Sequence, residues 1–367
     1  MKFALIRFGF FVAGTILLAS VQAQTVQYQF SDLGTLGGPD SYANGINDAG
    51  QVVGYSRANN FNDATVASLW NRGGKTALAN WDGYHSAAYS INNAGQIVGY
   101  ADVVPRYGDP MNHAAIWNNG RIADLGTAGS DYQQSYAYAI NSAGQAVGQS
   151  DDLNTASQAA TQWSGSGPVN LTPGPAYSYA SSINSLGQVA GTNTFRPTVW
   201  NNGVATDLGT LGGDSGNATS INDLGVVVGA SQNENYANRA TLWQGEHVVD
   251  LGTLGGSFSN AMAINNRGWV VGSAANDLDE QHATLWLDGR AIDLNQFLSA
   301  ADVNDGWVLD SANAINNYGV VVGNAYNTRL NQTHAFMLSP VPEPETYAML
   351  MAGLVGLSWA ARRRKPV

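Results

Sequence analysis

The stretch Ile91-Asn92-Asn93-Ala94-Gly95-Gln96-Ile97-Val98-Gly99 reads as one β-hairpin, and the chain writes it seven times. The copies start at Ile46, Ile91, Ile140, Ile183, Ile221, Ile264 and Ile315, with spacings of 45, 49, 43, 38, 43 and 51 residues. That period holds four short strands and their turns, the size of one propeller blade. In the turn, Asn can bond its own backbone, and the Gly three residues later can take the positive φ of a bulged hairpin. In the third unit, strands are predicted at 113–117, 121–126, 135–140 and 145–148. Asn118-Asn119-Gly120 and Asn141-Ser142-Ala143-Gly144 supply the turns.

The two ends of the repeat region decide whether the array closes. It begins inside a unit, with Tyr28-Gln29-Phe30-Ser31-Asp32-Leu33-Gly34, and ends on His334-Ala335-Phe336-Met337-Leu338, the strand that the first unit lacks. Joining them completes a seventh blade. The fold predicted for residues 24–340 is therefore an all-β, seven-bladed β-propeller with terminal strand closure. An open β-solenoid, the alternative, has no use for this split.

Two regularities run through the units. Trp70, Trp117, Trp163, Trp200, Trp243 and Trp286, with Leu338 in the seventh unit, close one strand each. Such placement suits packing between blades better than a sugar-stacking platform. Four residues earlier stand Val66, His113, Ala159, Arg196, Arg239, His282 and His334. Wherever that residue is His or Arg, an Asp waits in the following strand: Asp124, Asp207, Asp250, Asp293 and, for His334, Asp32. Where it is Val or Ala the Asp is absent. Cross-strand structural pairs are expected. The functional alternative is a ring of His and Arg near one channel mouth, able to hold an anionic sugar.

Both ends of the 367-residue chain read as processing signals. Lys2 and Arg7, an apolar run over 8–18, and small residues before Ala23 predict a signal peptide over 1–23. The run is short for a membrane helix, the other reading. Residues 341–367 begin with Pro342-Glu343-Pro344, continue through an apolar stretch over 347–361, and finish on Arg362-Arg363-Arg364-Lys365. The four cations would stay cytoplasmic, leaving the body of the protein outside. This tail resembles the PEP-CTERM sorting signal of Gram-negative bacteria that make exopolysaccharide. The resemblance implies exosortase as a partner and removal of the tail near Pro342-Glu343-Pro344. It also implies a transient inner-membrane anchor through a transmembrane helix, then release to the cell surface or extracellular matrix. An ordinary single-helix anchor is the plainer alternative.

Setting aside Lys2, Arg7 and the four C-terminal cations, with Glu343 and Glu345, residues 24–340 hold 10 Lys+Arg against 25 Asp+Glu, a net −15. So acidic a body repels phosphate backbones, and nucleic acid is excluded as a partner. With no Cys there is no thiol chemistry. No nucleophile elbow, His-Glu zinc motif or phosphate loop occurs, and no catalytic or cofactor-binding residue is assigned. No cofactor is expected. Calcium is the alternative at Asp48 and Asp223 in the turns, where one carboxylate per loop is too few for a tight site. It is also the alternative at Asp277-Leu278-Asp279-Glu280 and at Asp302, Asp305 and Asp310, where solvated loop charge is the plainer reading.

The string Asp-Leu-Gly-Thr-Leu-Gly-Gly at 32–38, 207–213 and 250–256, with His334-Ala335-Phe336 and the Ile-Asn-x-x-Gly turns, resembles the HAF family of extracellular repeat proteins. That family implies export and no particular mechanism. The expected role is structural or adhesive, binding glycans in the exopolysaccharide matrix or cell envelope through Asn, Ser and Tyr. A polysaccharide hydrolase or lyase on the same scaffold would need two converging acids. A periplasmic protein-binding module would need an apolar patch.

Overall fold

A computed structural model describes residues 26–341, apart from 59–63, 82–84, 104–109, 129–132, 153–156 and 175–176. Seven antiparallel four-stranded sheets make a seven-bladed β-propeller. Blades 1 to 6 occupy residues 41–77, 86–124, 135–170, 178–207, 212–250 and 255–293. Blade 7 takes residues 307–341 together with Gln27–Asp32. The first strand of each blade touches the first strand of the next, and blade 7 touches blade 1. These innermost strands surround the axis.

Closure follows the split read from the sequence. Gln27–Asp32 pairs antiparallel with Gln332–Val341, placing Phe30 opposite Leu338 and Asp32 opposite Phe336. The phase of the unit differs from the sequence reading by half a blade. The Ile-Asn hairpin forms the two inner strands and the Trp hairpin the two outer ones. Hence Met111–Asn118 and Arg121–Asp124 finish blade 2, while Ser135–Ile140 and Ala146–Asp152 open blade 3. A periodic sequence carries no mark of which strand lies at the axis, so its period was legible and its origin was not.

Apolar side chains pack between blades. The six repeated tryptophans are at most 3% exposed. Five of them also donate Nε1–H to a carbonyl in the connection that follows the preceding blade: Trp70 to Gly34 (3.3 Å), Trp117 to Ala79 (2.5 Å), Trp163 to Gly126 (3.1 Å), Trp243 to Gly209 (3.2 Å) and Trp286 to Gly252 (3.3 Å). Trp200 faces blade 3, where Leu171-Thr172-Pro173-Gly174 replaces the usual string, and its Nε1 is left without a partner. Between blades 6 and 7 the connection holds a 3₁₀ turn, Leu294–Phe297, and a short helix, Ala300–Asn304. Ser299 and Asp302 cap the helix reciprocally. The expected signal peptide, residues 1–23, and the residues of the sorting tail from Pro342 onward lie outside the described residues.

Candidate functional site: the axial channel

All seven Ile-Asn turns meet at one end of the channel, around a cavity of about 230 Å³. In each turn the Asn Oδ1 accepts backbone N–H groups from further along the turn. Asn92, for example, takes those of Ala94 (3.1 Å) and Gln96 (3.0 Å). The Gly has the expected positive φ, +80° at Gly95. What sequence reasoning missed is the other half of the amide. Each Nδ2 donates to the backbone carbonyl of the next blade's Asn: Asn47 to Asn92 (3.2 Å), Asn92 to Asn141 (3.0 Å), Asn141 to Asn184 (3.2 Å), Asn184 to Asn222 (3.1 Å), Asn222 to Asn265 (3.1 Å), Asn265 to Asn316 (3.0 Å) and Asn316 to Asn47 (3.1 Å). The ring of bonds is closed and buried. A signal was present, because an Asx-turn needs only an acceptor. Asp would serve for that, yet all seven positions are Asn, which unlike Asp adds a donor.

Asp48 and Asp223 stand one residue further out at the same mouth. Asp48 accepts from the Asn317 backbone (2.9 Å) and the Asn93 (2.9 Å) and Asn317 (3.1 Å) amides. Asp223 accepts from the Ser185 backbone (2.8 Å) and the Asn266 amide (2.7 Å). Burial works to raise both carboxyls, but these bonds outweigh it and hold them below the usual range. Both stay ionised, so neither is fitted to be the general acid that glycoside cleavage requires.

The other half of the channel has a different character. Every innermost strand carries a β-bulge at the same place, at Asn44, Tyr89, Tyr138, Ser181, Thr219, Met262 and Asn313. The neighbouring Ala on the strand, such as Ala43 or Ala137, is wholly buried, while the bulged residue is not. A bulge re-aims a side chain. In blades 1, 5 and 7 the bulged polar group bonds the next blade: Asn44 to the Ala88 carbonyl (2.9 Å), Thr219 to Ala261 (2.9 Å) and Asn313 to Ala43 (2.8 Å). In blades 2 and 3 tyrosines take that place.

Those tyrosines belong to an aromatic arc through blades 1 to 4. Tyr42 stacks on Tyr55 at 4.7 Å between ring centroids. Tyr89 meets Tyr100 (5.9 Å) and Tyr138 (5.5 Å), and Tyr100 meets Tyr136 (5.3 Å). Tyr177 lies 6.4 Å from Tyr179 and stacks on Phe195 at 6.2 Å. Blades 5 and 6 carry Asn217 and Asn260 where blades 3 and 4 carry Tyr136 and Tyr179. Burial raises the Tyr55 hydroxyl to about 12 and pushes Tyr89, Tyr100 and Tyr138 upward as well, so these four hydroxyls stay protonated at neutral pH.

The predicted charge pairs meet, but on the outer strands of their blades and not at the channel. Nδ1 of His113 lies 2.8 Å from Asp124, and that of His282 lies 2.7 Å from Asp293. Nδ1 of His334 lies 3.0 Å from Asp32. Arg196 reaches Asp207 at 2.9 Å and Arg239 reaches Asp250 at 3.1 Å. The register is diagonal, since Asp124 lies opposite Ala115 and Asp293 opposite Thr284. The alternative of a cationic ring at the channel mouth is corrected by this placement on third and fourth strands. Each Asp also accepts a backbone N–H two residues on, as from Gly126 (2.7 Å) and Gly209 (2.8 Å). Asn170 keeps this turn bond, to Thr172 (2.7 Å), where Ala159 offers no cation.

Among the described residues, no three His, Asp or Glu side chains converge as a metal site. Asp279 accepts from the Ser257 backbone (2.8 Å), and Asp302 is used in the helix cap. Asp310 differs from the other acids discussed. It stands at an additional register shift in blade 7, and burial raises its carboxyl to about 6 against the opposing pull of His282.

Residues 340–365 match the PEP-CTERM protein-sorting motif. That motif is a sorting signal processed by exosortase, and it indicates export and sorting to the surface. No protein of curated function matches significantly. Among solved structures, the chain is similar to a triple arginine-to-alanine mutant of AofleA from Arthrobotrys oligospora. The two share 11% identity over 74% of this chain and 91% of that one, with a TM-score of 0.32. Among the described residues no helix is long and apolar enough to cross a membrane.

Proposed function

We propose that this exported propeller is a structural or adhesive glycan-binding protein of the exopolysaccharide matrix or the cell envelope. The observation that carries this reading is the tyrosine arc on one side of the channel. Phenol rings offer apolar faces to the C–H faces of sugar rings and hydroxyls to their oxygens. Seven blades could have repeated one lining, as they repeat the Asn ring, yet among the described residues the arc is confined to blades 1 to 4.

The hydrolase or lyase reading finds less support. Asp48 and Asp223 share a mouth but are both held ionised, whereas glycoside cleavage separates its two carboxyls into an acid and a base. Exosortase is the processing partner in this proposal, with the mature end near Pro342 or Glu343, and the HAF resemblance agrees with an extracellular destination.

Fractionation of the native host, with mass spectrometry of the protein's C-terminus, tests the sorting half. Recovery from the surface or secreted fraction with an end near Pro342 is expected. An intact tail through Val367 in the inner membrane would overturn it and favour a tethered periplasmic module. Co-sedimentation of the released protein with purified host exopolysaccharide tests the binding half, and failure to sediment would contradict adhesion.

A further inference from the structure

We infer that the sugar-binding subsite is the cleft between blades 3 and 4, and that it takes an uncharged pyranose unit; this rests on the glycan-binding reading above. The cleft encloses about 540 Å³ and is lined by Tyr138, Gln149, Gln158, Tyr177, Tyr179 and Ser181. That volume falls in the range of small-molecule sites. None of the six is Asp, Glu, Lys, Arg or His.

The cleft opens at the first junction where the second strand no longer carries a tyrosine; blades 4 to 7 carry Thr192, Ala230, Ser273 and Asn324 there. On the second strand, Tyr55 and Tyr100 of blades 1 and 2 give way to Gln149 in blade 3. Tyr100 leans on Tyr136 of the following blade and fills the space. Gln149, which is 9% exposed, leaves it open. The third strand repeats the contrast. Asn112 of blade 2 donates to the Tyr136 hydroxyl across the junction at 2.7 Å. Its counterpart in blade 3 is Gln158, whose Oε1 is buried with no hydrogen-bond partner. Buried polar atoms are nearly always satisfied, so this orphan on the cleft wall marks a place where a ligand completes the bonding.

The chemistry of that ligand follows. Tyr177 is 46% exposed and stacks on Phe195, giving an accessible aromatic step at the rim for an apolar ring face. Gln158 Oε1 accepts and therefore calls for a hydroxyl or amide N–H. Gln149 can donate or accept. With no cation in the lining and an acidic chain, a uronate carboxylate would be desolvated without a counter-charge.

Isothermal titration of the processed protein, purified from the host surface fraction, tests the assignment. The probes are gluco-, galacto- and manno-tetraose and, as the charged comparison, tetragalacturonate. At least one neutral tetraose is expected to bind, with tetragalacturonate weaker by tenfold or more. Tyr177→Ala and Gln158→Leu are each expected to weaken binding at least tenfold, while Tyr236→Ala, at an exposed turn of blade 5 outside the arc, leaves it within twofold. Binding that survives both cleft substitutions overturns the location and leaves the glycan reading standing. Preference for tetragalacturonate overturns the uncharged ligand. Silence from all four probes in the parent overturns the glycan reading and the cleft together. Heat-induced unfolding of each variant separates loss of binding from loss of fold.

Discussion

The two halves of the channel are built on opposite rules. At the Ile-Asn mouth seven blades place the same side chain, and each amide hands a hydrogen bond to the next until the ring closes. In the other half the backbone repeats, down to a bulge in every innermost strand, but the bulged residue is Asn, Tyr, Tyr, Ser, Thr, Met and Asn in turn. A ring holds only if every junction holds, so what supports the fold is repeated. A ligand touches one sector, so what binds need appear only once. The junction of blades 3 and 4 breaks the pattern several times over. Gln149 replaces Tyr, Gln158 loses its bond, and the Leu171-Thr172-Pro173-Gly174 substitution leaves Trp200 Nε1 and Thr172 Oγ1 unpaired.

The division can be attacked from its structural side first. Trp243→Ala removes a wholly buried wedge, and a loss of about 3–5 kcal/mol is expected by denaturant titration. If the protein unfolds at the parental midpoint, the tryptophans do not hold the blades together. Asn222→Asp keeps the acceptor for the Leu224 and Val226 backbones but ends the donation to Asn265, and roughly 1–3 kcal/mol should be lost. A neutral result would mean that the ring of amides is decoration. His282→Ala removes one half-buried pair on the outer strands, worth about 1 kcal/mol at neutral pH. The same change should leave glycan binding unaltered, because the pair stands away from the channel.

The smallest effect depends on pH. Burial gives Asp310 a higher pKa in the folded chain than in the unfolded one, so its favourable contribution is present below about pH 4 and is lost as the pH rises through about 6. Asp310→Asn should therefore raise the melting temperature at pH 8 and leave it unchanged at pH 4. Equal shifts at both values would show that the carboxyl is no more strained ionised than protonated. Asp124 runs the other way. His113 and the Gly126 N–H hold it below its usual range despite burial, so its contribution is present above about pH 4 and is lost on further acidification.

Most of the architecture was legible because it repeats. Ile-Asn-x-x-Gly counted the blades, and the incomplete unit at Tyr28 with the orphan strand at His334 announced the closure. Co-occurrence of His or Arg with Asp found five cross-strand pairs. The blade's starting strand was not legible, since no residue type distinguishes the axis from the rim in a sequence that is periodic in both. Nor was the cleft. Tyr138 and Tyr179 occupy different steps of their strands, and Gln149 and Gln158 look like ordinary polar positions. Only the twist of the sheets and the bulge bring them to one wall. The seven identical asparagines were read as turn formers because a turn needs nothing more. Their second bond reaches a residue some 45 positions away that local reasoning does not consult.

One comparison tests the central division directly: binding of purified host exopolysaccharide by the parent and by a Tyr138→Thr/Tyr179→Asn variant. Those are the residues that blade 5 carries at the same two places, Thr219 and Asn217. The substitutions extend the non-aromatic lining to the cleft without touching the ring of amides. The expected result is a folded propeller with parental circular dichroism that no longer binds. Undiminished binding by the folded variant would contradict the assignment of function to the sector that differs.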